Sequence, residues 1–254
     1  MSSMPDTVAV AAGTDQGPRD GYALGRTVAE YERLQAQARV WEAATGRLLD
    51  QVELGTHALA ALHAAGHHQC SFEPADVRQA ERIPGGPFDL VFARLLLFHL
   101  ADPVAALRRL WDWVAPGGHL VVQDYDLRTA DVAPALDTMQ EFNRVVPAAF
   151  AGAGCDIHIG HRLPVLCADA GIGAPDGTDG AGRLEPLATT SAMLAAVYHS
   201  LLPVALSLGL TTEQRAAEWF AQLARDTADH AHHAALWPLL IGAWKRKPDA
   251  SRPR

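Results

Sequence analysis

Residues Gly86–Asp126, GPFDLVFARLLLFHLADPVAALRRLWDWVAPGGHLVVQDYD, decide the fold. Phe88–Ala93 is an apolar run of buried-strand length. Asp102 stands where a helix N-cap belongs and Pro103 at the first helical position. Val104, Leu107, Leu110, Trp111 and Val114 then recur at helical spacing, giving one apolar face. Pro116-Gly117-Gly118 is expected to stop that helix, because proline cannot continue it and glycine accepts positive φ. His119–Gln123 is a second short apolar run. Two buried strands joined by a helix predict a βαβ unit and hence a parallel sheet.

Upstream, Thr27–Val52 carries Val28, Tyr31, Leu34, Ala38, Trp41, Leu48 and Val52 at helical spacing, with a break expected near Gly46. Further on, THALAALHAAGHHQCSFEPADV predicts a helix with Leu59 and Leu62, a turn at Gly66 and a strand over Gln69–Phe72. Downstream, Leu136, Met139, Phe142 and Val146 predict a packed, lid-like helix. APDGTDGAG (174–182) reads as a loop, and SAMLAAVYHSLLPVALSLGL as a buried helix kinked at Pro203. Thr211 with Gln214 has the spacing of a capping box, opening a helix through Trp219, Phe220 and Leu223. His230, His232 and His233 are expected to face solvent, and WPLLIGAWKRKP to form the last strand.

FDLVFARLLLFHLADPVAALRRL and APGGHLVVQDYD together resemble the second half of a class I S-adenosylmethionine (SAM)-dependent methyltransferase. They are similar to the ubiquinone/menaquinone-biosynthesis branch, whose fourth and fifth strands carry "FDLV…hL.d…L……L.pGG.lvv.e.d". CDIHIGHRLPVLCADAGI resembles that family's helix before its sixth strand. The resemblance implies an α/β fold: a Rossmann-like sheet with flanking helices. It also breaks off at one place. After Leu54-Gly55, neither a glycine-rich "vLDvGcGtG" loop nor an acid-ended second strand follows, and no GxGxxG occurs. A first strand–helix–strand unit of about 30 residues is thus missing from the pattern. A shortened enzyme, a scaffold that has lost SAM, and a rebuilt N-terminal segment all remain open readings.

The resemblance implies candidate cofactor contacts. Tyr31, Arg33 and Gln37 of EYERLQAQARVW would face the methionine end, although an amphipathic helix with a solvated face fits the last two equally. Asp76 and the backbone amide of Val77 would hold the adenine amino group, although Asp76 serves equally as a turn or cap residue. Ala93 and Arg94 close the strand nearest the cofactor. Asp124 and Asp126 end the second strand at its carboxyl edge, where ligands bind in open α/β sheets. Asp124 is the better candidate to touch substrate, and Asp126 the more solvated. Asp124 and His99 are the candidate catalytic groups for taking a hydroxyl proton, although a histidine among leucines is more often a packed core residue. His158 and His161 lie on the acceptor side, but no carboxylate or cysteine in sequence completes a metal set, so no metal is assigned.

Composition sets the outer bounds. The chain has 254 residues, 49% hydrophobic and 20% charged, with a net charge of −8. That balance suits a globular domain and disfavours nucleic acid as a partner. The first residues have no basic and apolar leader pattern, and the apolar run Leu95–Leu100 is too short to span a bilayer. Cys70, Cys155 and Cys167 are few and scattered, which points to a reducing, cytoplasmic setting. The expected organisation is a tail over 1–20, one domain over 21–248 and a tail over 249–254. Within the domain, a helical cover spans 27–54 and a helical insertion about 130–235. The expected activity is methyl transfer from SAM to a small, partly apolar metabolite, or else a binding or regulatory role on a scaffold that has lost SAM.

Overall fold

The computed structural model describes residues 28–52 and 76–249. The tail over 1–20, the turn at Gly66, the strand over Gln69–Phe72, Cys70 and residues 250–254 lie outside the described residues. Two helices come first, α1 (Val28–Val40) and α2 (Glu42–Gln51). They part at Trp41, not at Gly46, which sits inside α2 with open space beside it. Strand β1 (Phe88–Arg94) leads to helix α3 (Pro103–Asp112) and strand β2 (Val114–Asp126). Asp102 caps α3 as expected: its Oδ1 accepts the Ala105 N–H at 2.9 Å, and Pro103 begins the helix.

The expected helix stop is corrected. Helix α3 ends at Asp112, and Val114, read as part of its apolar face, pairs with Phe88 in the sheet. Pro116-Gly117-Gly118 lies inside β2. The register slips between Phe88 and Leu90, and Gly117 (φ +83°) turns the chain so that its N–H reaches the Lys247 carbonyl at 2.9 Å. Glycine accepts that left-handed φ without strain.

After β2 come β3 (Asp131–Ala133), α4 (Asp137–Gly152), α5 (Leu163–Asp169), β4 (Gly177–Ala181) and β5 (Leu184–Pro186). The chain then runs through α6 (Leu187–Ser207), α7 (Glu213–Asp229), β6 (Ala234–Leu236) and β7 (Leu239–Arg246). The main sheet has the order β1-β2-β7-β4, with β1 and β2 parallel and the other pairs antiparallel. The parallel pair is the one the βαβ reading predicts. A second sheet, β3-β6-β5, threads through the stretch read as a helical insertion.

Two further expectations change. The APDGTDGAG segment is not a loop but holds edge strand β4, antiparallel to β7. Its glycines hide the strand from a propensity reading, yet Gly177 is required. A Cβ there would lie 2.0 Å from the Trp244 ring, so only glycine lets the indole cover the strand. The cap of α7 is Thr212, whose hydroxyl accepts the Arg215 N–H at 3.2 Å, one residue beyond the Thr211–Gln214 pair. Thr211 is itself buried.

Side-chain parity on β2 organises the two faces of the sheet. Val121 meets Leu48 and Val52 of the α2 segment, with Trp244 of β7 beside them. Leu120 and Val122 join the main core with Leu107 and Leu110 of α3. Helix α6 packs on α4 and α7, and Tyr198 stacks on Trp219 at 4.1 Å. By length and composition (mean hydropathy 1.3) α6 could cross a membrane, although its buried residues face the protein. Cys155 and Cys167 are both buried in the core.

Gly160 offers a test of how closely the backbones approach under β2. A Cβ there would lie 2.5 Å from the Asp124 carbonyl oxygen, an atom that cannot swing aside. Gly160→Ala should cost about 1–3 kcal/mol and lower Tm by several degrees. Gly46→Ala, with open space, should be neutral or stabilising. Thermal denaturation of both variants checks this.

Candidate active site

A cavity of about 220 Å³ opens at the carboxyl ends of β1 and β2, beneath α1, α4 and α6. Its two ends differ chemically. Phe142, Val146, Phe150, Met193 and Val197 form an apolar wall. Arg33, Gln37, Arg94, His99 and Tyr125 form the polar end.

The polar end is built by two hydrogen-bonded chains that pin α1 and α2 to the strand tips. Gln37 accepts from Arg33 NH1 at 3.0 Å and donates to Tyr125 Oη at 2.9 Å. Trp41 Nε1 donates to the same phenol oxygen at 2.6 Å. Arg94 NH1 donates to Thr45 Oγ1 at 2.9 Å, and that hydroxyl donates to Gln123 Oε1 at 2.8 Å. Strand parity explains the set. Leu90, Phe92 and Arg94 pair with His119, Val121 and Gln123, so Arg94, Gln123 and Tyr125 share the face that α2 covers. Burial pushes the Tyr125 phenol up to about 12, so it stays protonated at any ordinary pH.

The candidate residues separate accordingly. Arg33, Gln37, Arg94 and His99 come together at the cavity. The Tyr31 side chain lies outside the described residues. Ala93 is on the opposite parity and packs in the core. Asp76 does not reach the cavity. It sits in an exposed turn, takes the Arg78 N–H at 2.8 Å and is ion-paired to the Arg78 guanidinium, which holds its carboxyl below the usual range. This is the turn role that its residue type equally allowed. Val77 packs at the core's edge, and its carbonyl accepts from Arg109 at 3.4 Å.

Asp124 is corrected from a substrate-touching acid to a buried support. It is 1% exposed and does not line the cavity. Its Oδ2 accepts the Leu97 N–H at 3.0 Å, so it holds the turn that presents Leu95, Phe98 and His99 to the cavity. Burial pushes its carboxyl up to about 8, with nearby backbone amides only partly opposing the shift. His99 is mostly buried against Phe98, with ring centroids 3.7 Å apart. Burial, reinforced by the positive charge of Arg33, pushes its imidazole down to about 4, so it is neutral at physiological pH.

Asp126 is likewise not a solvated acid. It is 5% exposed and ion-paired with Arg128 at 2.5 Å, which holds its carboxyl low. His158 and His161 flank it, with Nδ1 atoms 3.5 and 3.7 Å from its oxygens. A carboxylate therefore does stand beside the two histidines, brought there by folding. Among the described residues no group of three ligands has the arrangement of a metal site. His232 is exposed, but His230 and His233 are half-buried and stacked at 4.6 Å. Sequence reading missed Tyr125, Thr45 and Gln123 and saw Trp41 only as an apolar helix position. The available signal was the strand period, which puts Gln123 and Tyr125 on the face opposite Asp124.

With this geometry in place, comparison with known proteins decides the family. A model described as "Methyltransferase domain" matches residues 20–172, more than half of the 254-residue chain. The chain belongs to this methyltransferase family. The mixed α/β sheet with its parallel pair and flanking helices is the Rossmann-like arrangement of such proteins. The chain is 38% identical over 65 residues to phosphoethanolamine N-methyltransferase 3 of Arabidopsis thaliana, covering 25% of this chain and 13% of that one. It is 34% identical over 87 residues to an uncharacterized methyltransferase of Schizosaccharomyces pombe, covering 34% and 31%. These matches span at most about a third of either relative's length. Among solved structures, Haemonchus contortus phosphoethanolamine N-methyltransferase 2, in complex with phosphomonomethylethanolamine and S-adenosylhomocysteine, aligns at 14% identity. Its TM-score is 0.34, with 68% of this chain and 36% of that chain covered.

The raised Asp124 carboxyl makes stability depend on pH with a definite sign. Between about pH 4 and 8 the unfolded carboxyl is ionised and the folded one protonated. The folded state then binds the extra proton, so this group's contribution is lost as pH rises through that window. Asp124→Asn keeps an acceptor for the Leu97 N–H and removes the titration. Raising the pH from about 5 to about 8 should therefore lower the wild-type Tm by several degrees more than that of Asp124→Asn. Scanning calorimetry at the two pH values measures it, and equal slopes would refute the assignment.

Proposed function

We propose that this protein is a SAM-dependent methyltransferase acting on a small, partly apolar acceptor. The observation that carries the reading is a largely apolar cavity at the carboxyl edge of β1 and β2 in a chain of methyltransferase family. Bound S-adenosylmethionine would supply a methyl group on a sulfonium, an already activated leaving group. Such a transfer asks little acid–base chemistry of the protein and depends on alignment.

The donor set suits one end of that cofactor. Arg33, Gln37 and Arg94 would face its amino-acid end, where guanidinium groups match a carboxylate. The buried Arg33, held by Gln37, is already oriented before any ligand arrives. The neutral His99 would accept a hydrogen bond from the acceptor's hydroxyl or amine and so fix the direction of its lone pair. Asp124 is a positioning residue, acting through the Leu97 N–H on the turn that carries His99. The apolar wall would exclude water from the acceptor.

Calorimetric titration with SAM and S-adenosylhomocysteine tests the proposal. A one-site isotherm and a raised Tm are expected. Arg33→Gln should weaken SAM at least about tenfold, since a charge-assisted bond to a carboxylate is lost. His99→Ala should leave SAM affinity nearly unchanged and reduce turnover once an acceptor is found. Because the imidazole titrates near 4, turnover should be level across the neutral range and fall only as pH approaches that value. No binding at millimolar ligand, in a cooperatively melting protein, would overturn the proposal.

A further inference from the structure

We infer that Tyr125 is a cofactor-binding residue whose O–H donates to the carboxylate at the amino-acid end of SAM, beside Arg33 and Arg94. The inference rests on the methyltransferase reading and adds a contact to that same site. It is carried by the directions of the hydrogen bonds that meet at one oxygen.

A hydroxyl oxygen can accept two hydrogen bonds and donate one. At Tyr125 both accepting positions are filled. Trp41 Nε1 donates at 2.6 Å, and an indole N–H can do nothing else. Gln37 Nε2 donates at 2.9 Å. That amide cannot be turned end for end, because its Oε1 accepts from Arg33 Nη1 at 3.0 Å and a guanidinium never accepts. Both bonds therefore run toward the phenol oxygen, and the phenol's own proton is left over. Among the described residues none accepts from it.

The proton is held and it is buried. Tyr125 is 5% exposed and borders the cavity. Burial keeps its phenol protonated, with the pKa pushed up to about 12. A buried donor without an acceptor costs free energy, and a ligand in the cavity relieves that cost. Two N–H groups donating to one oxygen also polarise it, which makes the O–H a stronger donor.

The ligand atom that meets this proton must be an acceptor. Arg33 and Arg94 border the same end of the cavity, and the positive charge of each is felt at the phenol. Guanidinium groups are donors only, so Tyr125 adds a third donor residue to that end. An ionised carboxylate accepts on two oxygens and donates nothing, which matches such a set. The amino group of the same cofactor, an ammonium, has no lone pair for the phenol proton.

Calorimetric titration of the full chain with SAM and with decarboxylated SAM tests this. Tyr125→Phe keeps the ring and should weaken SAM at least about tenfold, as expected for a lost hydrogen bond to a charged group. Decarboxylated SAM should change by no more than about twofold. Unchanged SAM affinity overturns the inference, and so does an equal loss for both ligands, which a purely structural role would give. Gln37→Met cuts the route from Tyr125 to Arg33. In that background Tyr125→Phe should still weaken SAM by about the same factor. A loss that vanishes there means that the phenol acts only through Gln37, and overturns the inference. If Tyr125→Phe does not melt cooperatively, 3-fluorotyrosine at position 125 replaces it. This residue keeps the oxygen bonded to Gln37 and Trp41 and makes the O–H a stronger donor. SAM should then bind several-fold tighter, and unchanged or weaker SAM binding overturns the inference. The wild-type titration separates the two levels. SAM binding that is indifferent to the Tyr125 changes overturns only this inference, whereas no SAM binding by the wild type overturns the methyltransferase reading with it.

Discussion

Everything described here hangs on strand β2. It is hydrogen-bonded on both sides, parallel to β1 and antiparallel to β7, and His119 to Leu127 are buried without interruption. A strand so placed must satisfy both faces at once. One face takes α2, through Val121, Gln123 and Tyr125. The other takes the α3 core through Leu120 and Val122 and ends in Asp124, which must find a partner in the low-dielectric interior. The turn after β1 supplies that partner as the Leu97 N–H. The cost of burying a carboxyl is thus offset by fixing the segment that carries His99.

The same constraint accounts for the site's polarity. Gln123 and Tyr125 reach the carboxyl edge with hydrogen-bonding groups that cannot be left unpaired, and α1 and α2 provide their partners through Gln37, Trp41 and Thr45. These bonds seat Arg33 and Arg94 at the cavity with their directions already set. The apolar wall comes from another part of the chain, α4 and α6, brought over the strand tips by the β3-β6-β5 sheet. Preorganised donors at one end and a dry wall at the other are what alignment-dependent group transfer requires. They form without any single residue acting as a strong acid or base.

Much of this was legible in the residues. The βαβ unit, the Asp102–Pro103 cap, the α4 face of Met139, Phe142 and Val146 and the final strand all follow from period and capping chemistry, which are local. The errors are equally physical. Val114 has helical spacing from Leu110, but it is the first residue able to pair with Phe88, and the sheet bond decides its state. The glycines of β4 argue for a loop until Trp244 is laid over them. Thr211 and Thr212 are equivalent cap candidates in sequence, and burial of the first leaves the second to cap.

By itself, the sequence determined the fold class, the parallel pair and the resemblance to methyltransferases. Those depend on patterns within one element or between neighbours along the chain. It also placed His99, Arg33, Gln37 and Arg94 among the candidates by residue type. Only the tertiary structure decided which candidates share a cavity. Adjacent residues on a strand point to opposite faces, so Arg94 faces the cavity while Ala93 enters the core, and Tyr125 lines it while Asp124 lies behind it. Which face becomes the site depends on what packs against it, and α1, α2, α4 and α6 come from far along the chain. Local chemistry therefore nominated the residues, and long-range packing gave each its environment, its protonation state and its role.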